Sequence, residues 1–183
     1  MSSRRILTKF GVIDAIQNGK AEKAAILWVP GFLGTMNGVK AEALQKWNHD
    51  EFKQTLWRFN YSGIGKSTGH LKRSKSTFKN WLSDAGAVLE QAAAESGGPV
   101  DVIGSSMGGL ISLHLATRNP ELVRSLYLCA PAVHFLKDRI ALVRQSPGDD
   151  IPIPPDYLHG SGLVSASFFF IWKFFRRAFT FVL

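Results

Sequence analysis

A serine becomes a nucleophile only where the backbone presents its hydroxyl and leaves room for a substrate. The segment Gly104-Ser105-Ser106-Met107-Gly108-Gly109 has the residue types for that. It contains the pattern G-x-S-x-G. The apolar stretch Val100 to Ile103 precedes it, and Leu110, Ile111, Leu113 and Leu115 follow. Strand, sharp turn and helix in that order make a nucleophile elbow. The turn needs small residues on both sides of the serine, because a β-carbon there would collide with the adjoining strand and helix. Register separates the two serines. Ser106 has glycine two residues before and after it, whereas Ser105 has Ile103 and Met107. The predicted nucleophile is Ser106. The competing reading is a glycine-rich turn of the kind that joins any strand to any helix; strand, spacing and helix together favour the elbow.

The elements that must position this turn follow from apolar periodicity. Residues 5–13 read as an edge strand or hairpin arm, closed by a turn at Asn18-Gly19. Ala24 to Val29 is a continuous apolar run before Pro30-Gly31, as expected of a strand buried on both faces. The loop Pro30-Gly31-Phe32-Leu33-Gly34 leads to a predicted helix from Val39 to Trp47. Thr55 to Phe59 is the next strand, and Tyr61-Ser62-Gly63-Ile64-Gly65 the loop beyond it. From Ser76 or Thr77 onward, Phe78, Trp81, Leu82, Ala85, Val88, Leu89 and Ala92 recur at helical spacing up to Gly97-Gly98-Pro99. Asn119-Pro120 closes the elbow helix, and Ser125 to Cys129 reads as the next strand. Strands alternating with helices predict an α/β fold with a mostly parallel sheet and flanking helices.

Past Leu136 the pattern changes. Residues 1–136 read as the α/β core. Residues 137–162 are polar and rich in proline and read as an excursion that forms part of a lid. Residues 163–183 carry most of the phenylalanines, and a helix there would gather Lys173, Arg176, Arg177 and Thr180 on one face. That tail is too short and too interrupted by charge to predict a membrane span. Peripheral contact with a membrane is one reading of it; the others are a misplaced core segment and a terminus foreign to the domain.

The 183 residues, 45% hydrophobic and 20% charged, are those of one globular domain. The formal net charge is +8. Apart from small groups at Arg4-Arg5, Lys72-Arg73-Lys75 and Lys173-Arg176-Arg177, the basic residues are scattered and no nucleic-acid motif accompanies them, so a solvated basic surface is the reading. Cys129, the single cysteine, rules out an intramolecular disulfide, suits a reducing compartment and reads as a small buried strand residue. No zinc-spaced Cys/His set occurs, and the chemistry of the elbow calls for no metal and no organic cofactor. Arg4, Arg5 and Lys9 precede any acid, as in a mitochondrial targeting segment, but the reading adopted is that they belong to the first strand.

The elbow, the Pro30–Gly34 loop, the segment Met36-Asn37-Gly38-Val39-Lys40-Ala41 and the segment Arg58-Phe59-Asn60-Tyr61-Ser62-Gly63-Ile64-Gly65 resemble an α/β-hydrolase subfamily. It is the subfamily of mitochondrial palmitoyl-protein thioesterases that also cleave acyl glucuronides, and the resemblance runs from about residue 5 to 162. It implies the α/β-hydrolase fold, a serine esterase or thioesterase acting through a Ser106 acyl-enzyme, and a mitochondrial location with the cytoplasm as the alternative. It also implies an oxyanion hole formed by the backbone N–H groups of Met107 and Phe32. Physically this is consistent: one donor follows the nucleophile and one comes from the loop after an earlier strand. Two positions depart from the family pattern. Pro30 stands where many α/β-hydrolases have histidine, and Asn60 where relatives have aspartate, a change expected to alter loop hydrogen bonding without abolishing chemistry.

The family triad runs Ser, then Asp or Glu, then His, on strands well beyond the elbow. This chain ends just past the excursion, so the acid, the histidine and the last strands of the sheet are expected to be missing from it. A sheet so shortened would expose an edge, which Phe168 to Phe170 could cover. The acid and base are therefore unassigned. His49 lies at a helix end, His70 on a loop, and His114 on the elbow helix facing its packing partners. His134 and His159 follow the nucleophile, with Asp138, Asp149, Asp150 and Asp156 as possible acids. Asp156 and His159 are too close in sequence to come from separate strands. Asp149 or Asp150 with His159 keeps the order but falls in the excursion, where solvated residues are the simpler reading. Removing the base costs on the order of 10⁶ in turnover in a well-studied serine protease. Two functions thus stand: an esterase or thioesterase on small-molecule or acyl-protein substrates, and a catalytically impaired hydrolase-like protein held at membranes by its tail. A splice variant or mis-terminated form of a longer enzyme is the third reading.

Overall fold

The computed structural model describes residues 2–19, 24–69 and 77–133. The predicted excursion (137–162), the aromatic tail (163–183), His70, His134, His159 and the four aspartates beyond residue 137 lie outside the described residues. So do Ser76 and Lys72-Arg73-Lys75.

The chain opens with two strands where the sequence pattern gave one arm. β1 (Ser2–Thr8) and β2 (Gly11–Asn18) pair antiparallel, with Ser2 opposite Gln17 and Thr8 opposite Gly11. The turn is Lys9-Phe10, inside the stretch read as one strand. No Asn-Gly or Asp-Gly pair marks it, and Gly11 takes a positive φ of 143° at its end. The Arg4-Arg5 group lies on β1, as expected of a first strand.

β3 (Ala25–Val29), α1 (Val39–Trp47), β4 (Thr55–Phe59), α2 (Thr77–Ser96), β5 (Val100–Ser105), α3 (Met107–Arg118) and β6 (Val123–Cys129) follow in the predicted order. A short π-helical segment over Asn48–Phe52, which apolar periodicity does not signal, extends α1. Lys53, at φ 52°, ends it in the left-handed region.

The strands form one sheet in the order β1-β2-β4-β3-β5-β6. β4, β3, β5 and β6 are parallel and the β1–β2 hairpin joins antiparallel. Every residue of β3 and β4 is buried, which is why both read as unbroken apolar runs rather than alternating ones. Alternation reappears in which face each residue serves. Ala25, Leu27, Val29, Trp57, Phe59, Val100 and Val102 pack with α2 and α3 in the main core. Ile26, Trp28, Leu56 and Ile103 pack with Ala41 and Leu44 of α1 in a smaller one on the other face.

From β3 the chain crosses over α1 to β4 on one side, then over α2 to β5 on the other. The direction of winding reverses between β3 and β5. The crevice at the carboxyl ends of the two strands flanking such a reversal is where open α/β sheets bind ligands. Here those ends carry the Pro30–Gly34 loop and the Ser106 turn.

Candidate active site

Ser106 is the single residue between β5 and α3, exposed, with φ 55° and ψ −122°. A non-glycine residue adopts such a conformation only where its surroundings enforce it. Three close approaches do so. A β-carbon on Gly104 would overlap the Ser112 hydroxyl and the Gly108 carbonyl oxygen; one on Gly108 would overlap the carbonyl oxygens of Val29 and Pro30. One on Gly109 would press into Pro131 at 2.8 Å. The first turn of α3 is thereby pressed against both its own strand and the end of β3. Hydrogen bonds lock the turn: the Ser106 amide donates to the Cys129 carbonyl at 2.9 Å, and the Ser106 carbonyl accepts from Gly109 at 2.9 Å and Ala132 at 3.0 Å. The Ser106 hydroxyl makes no cap bond to α3, so it is not spent on the helix it precedes.

The loop after β3 lies alongside. A methyl group on Gly31 would come within 3.3 Å of Ser106 Cβ and 3.9 Å of its Oγ. Gly34 donates to the Gly31 carbonyl at 3.0 Å, folding the loop into a turn, and Leu33 takes a φ of 54°. Among the described residues, neither the Phe32 amide nor the Met107 amide is taken up in a turn or cap hydrogen bond. Met107 opens α3, where amide groups have no partner within the helix and the helix dipole favours negative charge.

Around this pair lies a polar and aromatic frame. Tyr61, fully buried, donates from its hydroxyl to the Pro30 carbonyl at 2.9 Å. Burial, and then the nearby Asp84, pushes its phenol well above the ordinary range, so it stays a donor at any working pH. Trp81 stacks on Tyr61 with ring centroids 4.9 Å apart, and the Phe32 ring tilts against Trp81 at 5.7 Å. Asn60 accepts the Met36 amide at 2.9 Å, and Arg58, itself buried, donates to the Met36 carbonyl at 2.8 Å. Lys40, at the start of α1, donates to the hydroxyl of buried Ser105 at 3.2 Å. Cys129 is half-buried rather than fully buried at the end of β6. Burial pushes its thiol up, and the Lys40 charge opposes that in part.

A scan against family models matches residues 20–146 to the α/β-hydrolases described as serine aminopeptidase, S33. The chain belongs to that family. Mouse mitochondrial palmitoyl-protein thioesterase ABHD10 is 38% identical over 121 residues, which are 64% of this chain and 37% of the relative. This chain thus aligns with little more than a third of that protein. A crystal structure from Agrobacterium vitis S4 superposes with a TM-score of 0.66 at 29% identity, covering 81% of this chain and 58% of that one. The mouse α/β-hydrolase domain-containing protein 10 structure superposes with a TM-score of 0.69 at 24% identity, covering 92% and 70%. The fold is that of the α/β-hydrolases, with a mostly parallel sheet and flanking helices, as the strand pattern predicts.

Of the family's expected site residues, the structure brings Ser106, Met107 and the Phe32 loop together. It does not bring a described histidine to them. His49 pairs with Asp50 at 3.1 Å in the exposed π-helical segment, and His114 sits edge-on against Phe78 at 6.0 Å on α3. An open cavity of about 730 Å³ is lined by Leu7, Thr8, Leu82, Arg118 and their neighbours, not by Ser106, Met107 or Phe32. Among the described residues no group of histidine, cysteine and acidic side chains is arranged to hold a metal ion, and no helix is long and apolar enough to cross a membrane.

Three groups at or beside the site had no role in the sequence reading. Lys40 and Tyr61 were visible only as letters of the family segments, since neither is catalytic by type or spacing. Asp84 had a signal that could have been used: it stands three residues after Trp81 and four before Val88, on the apolar face of a helix. A carboxylate there must find partners or lose its charge.

Proposed function

We propose that this protein is a serine hydrolase of carboxylic esters or thioesters that works through a Ser106 acyl-enzyme. The observation that carries the reading is the strained, exposed Ser106 at the mouth of the β3/β5 crevice, with Gly31 packed against it. Ser106 Oγ attacks the acyl carbonyl carbon. The Phe32 and Met107 amides, together with the amino end of α3, stabilise the oxyanion that forms. Collapse of that intermediate expels the alcohol or thiol, and water then releases the acid. The general base that takes the Ser106 proton is unassigned. The mouse relative's description as a mitochondrial palmitoyl-protein thioesterase supports acyl thioesters as the substrate class and the mitochondrion as the location. On this reading residues 1–136 form the N-terminal part of an α/β-hydrolase core and 137–162 part of a lid, with peripheral membrane contact as one reading of the tail, 163–183.

A second reading, impaired catalysis, is favoured by one observation: neither described histidine is hydrogen-bonded to Ser106. Labelling of the full chain with a fluorophosphonate separates the two. Wild-type protein is expected to label, and Ser106→Ala to lose the label entirely. A folded wild type that neither labels nor hydrolyses nitrophenyl esters and acyl thioesters would leave the second reading standing.

A further inference from the structure

We propose that the segment from Arg58 to Tyr61 sets the position of the oxyanion loop, and that Tyr61 is its principal positioning residue, acting through the Pro30 carbonyl on the Phe32 amide. The inference rests on the serine-hydrolase reading above and adds to it which residues hold the loop in register with Ser106.

The loop leaves β3 at Pro30 and reaches α1 after Met36. Between β3 and α1 it has two turn bonds, Gly34 to Gly31 and Gly38 to Thr35, of which only the first spans Phe32, and a left-handed residue at Leu33. So little internal bonding does not fix where the Phe32 amide points. Both ends, however, are held by three residues of one four-residue segment, Arg58, Asn60 and Tyr61, that close β4 or follow it. At the entrance, the Tyr61 hydroxyl meets the Pro30 carbonyl at 2.9 Å. At the exit, Asn60 takes the Met36 amide at 2.9 Å and Arg58 supplies the Met36 carbonyl at 2.8 Å. All three bonds are buried, where a hydrogen bond is strong and an orphaned group costly.

The same segment steers the loop's side chain. Phe32 leans on Trp81, which also stacks on the Tyr61 ring. Trp81 is fixed in turn by donating its indole N–H to the Ser62 carbonyl at 3.0 Å. Asp84 accepts both the Ser62 amide at 2.9 Å and the Ser62 hydroxyl at 2.6 Å. Ring, hydroxyl and backbone therefore converge on one short loop, and Gly108 packs close to the same Pro30 carbonyl.

The Arg58–Gly65 and Met36–Ala41 segments accompany each other because one carries the bonds that the other receives. Asn60 works through its oxygen, so the aspartate expected of relatives would accept the same bond.

The test uses the full chain with Tyr61→Phe, which keeps the ring stack and deletes only the donor. The readouts are the rate of fluorophosphonate labelling and the kcat and KM for a nitrophenyl ester, both per active site. Labelling rate and kcat should fall about tenfold or more with KM within twofold, because donors displaced from the oxyanion act on the transition state. Unchanged labelling and kcat per active site, with only a lowered Tm, would overturn the inference. Should Tyr61→Phe not fold, Asn60→Ala takes its place with the same expectation, and Asn60→Asp should restore what it loses; no split in Asn60→Ala overturns the inference. A wild type that neither labels nor turns over refutes the serine-hydrolase reading instead. Amide exchange over residues 31–36 then decides the positioning role: about tenfold faster exchange in the variant with β3 unchanged supports it, and equal exchange overturns it.

Discussion

Asp84 shows how a single charge can be held inside this core. It is fully buried, its two oxygens accept from Ser62 and from the Thr8 hydroxyl at 3.1 Å, and burial still outweighs those bonds, holding its carboxyl above the ordinary aspartate range. The folded state thus binds the proton more tightly than the unfolded chain does. The corresponding stability is fully present below the unfolded value and is lost as the pH rises through the folded one. Asp84→Asn removes the titration while keeping an acceptor for Ser62. Urea midpoints of both proteins between pH 7 and pH 4 should show the wild type gaining on the variant as the pH falls. A pH-independent difference would place Asp84 at its ordinary value. Ser106 is the opposite case. No charge is buried, and the cost lies in its backbone, where a left-handed serine is worth of order 1–3 kcal/mol of strain. That strain is borne by the packing of its glycine neighbours.

At the scale of elements, the junction of β5, α3 and β3 is where packing is least forgiving. A methyl group at Gly108 would meet two carbonyl oxygens of the backbone, neither of which can swing away as a side-chain end could. Gly108→Ala should therefore cost at least about 2–3 kcal/mol, read as a lowered thermal midpoint, and should abolish labelling of Ser106 even in protein that remains folded. Gly98→Ala is the control: nothing lies within 4 Å of its added carbon, so its midpoint should stay within a degree or two. These contacts also explain what could be read in advance. α1 and β4 were legible to the residue because Val39–Trp47 and Thr55–Phe59 are bounded by turn residues and polar runs. The elbow was legible because steric exclusion restricts residue type at Gly104 and Gly108. The Lys9-Phe10 turn was not, since neither residue is a turn former. Nor was the Tyr61 bond to Pro30, which joins positions 31 apart through a backbone group that no sequence pattern marks.

For the molecule as a whole, burial is graded across the sheet rather than even. β3, β4 and β5 are covered on both faces, by α2 and α3 against the main core and by α1 against the smaller one. β1 alternates between half-buried and exposed positions with only Ile6 buried, and most of β6 is half-buried. The hairpin is tied to α2 by Arg4 with Glu95 at 3.0 Å and by Thr8 with Asp84. β6 is tied to β5 by Arg124, whose guanidinium grips the Asp101 carboxylate with two hydrogen bonds. Such outlying ion pairs contribute little beside burial. Local opening should therefore begin at the two sides of the sheet and reach its centre last. Native-state amide exchange checks this residue by residue: the amides of Leu27, Trp28, Val102 and Ile103 should exchange at least about tenfold more slowly than those of Arg4, Ser125 and Leu126. Among the described residues no strand pairs with the outer edge of β6. Protection of its outward amides equal to that of β5 would mean that this edge is covered, and would locate the cover beside Cys129 and the Ser106 turn. Rapid exchange there, beside a slowly exchanging β5, would place Ser106 at the boundary between the rigid centre of the sheet and its mobile side. Ser106 would then be held from β3 and β5 through the glycine contacts of Gly104 and Gly108, with its backbone bonds to Cys129 and Ala132 on the mobile side.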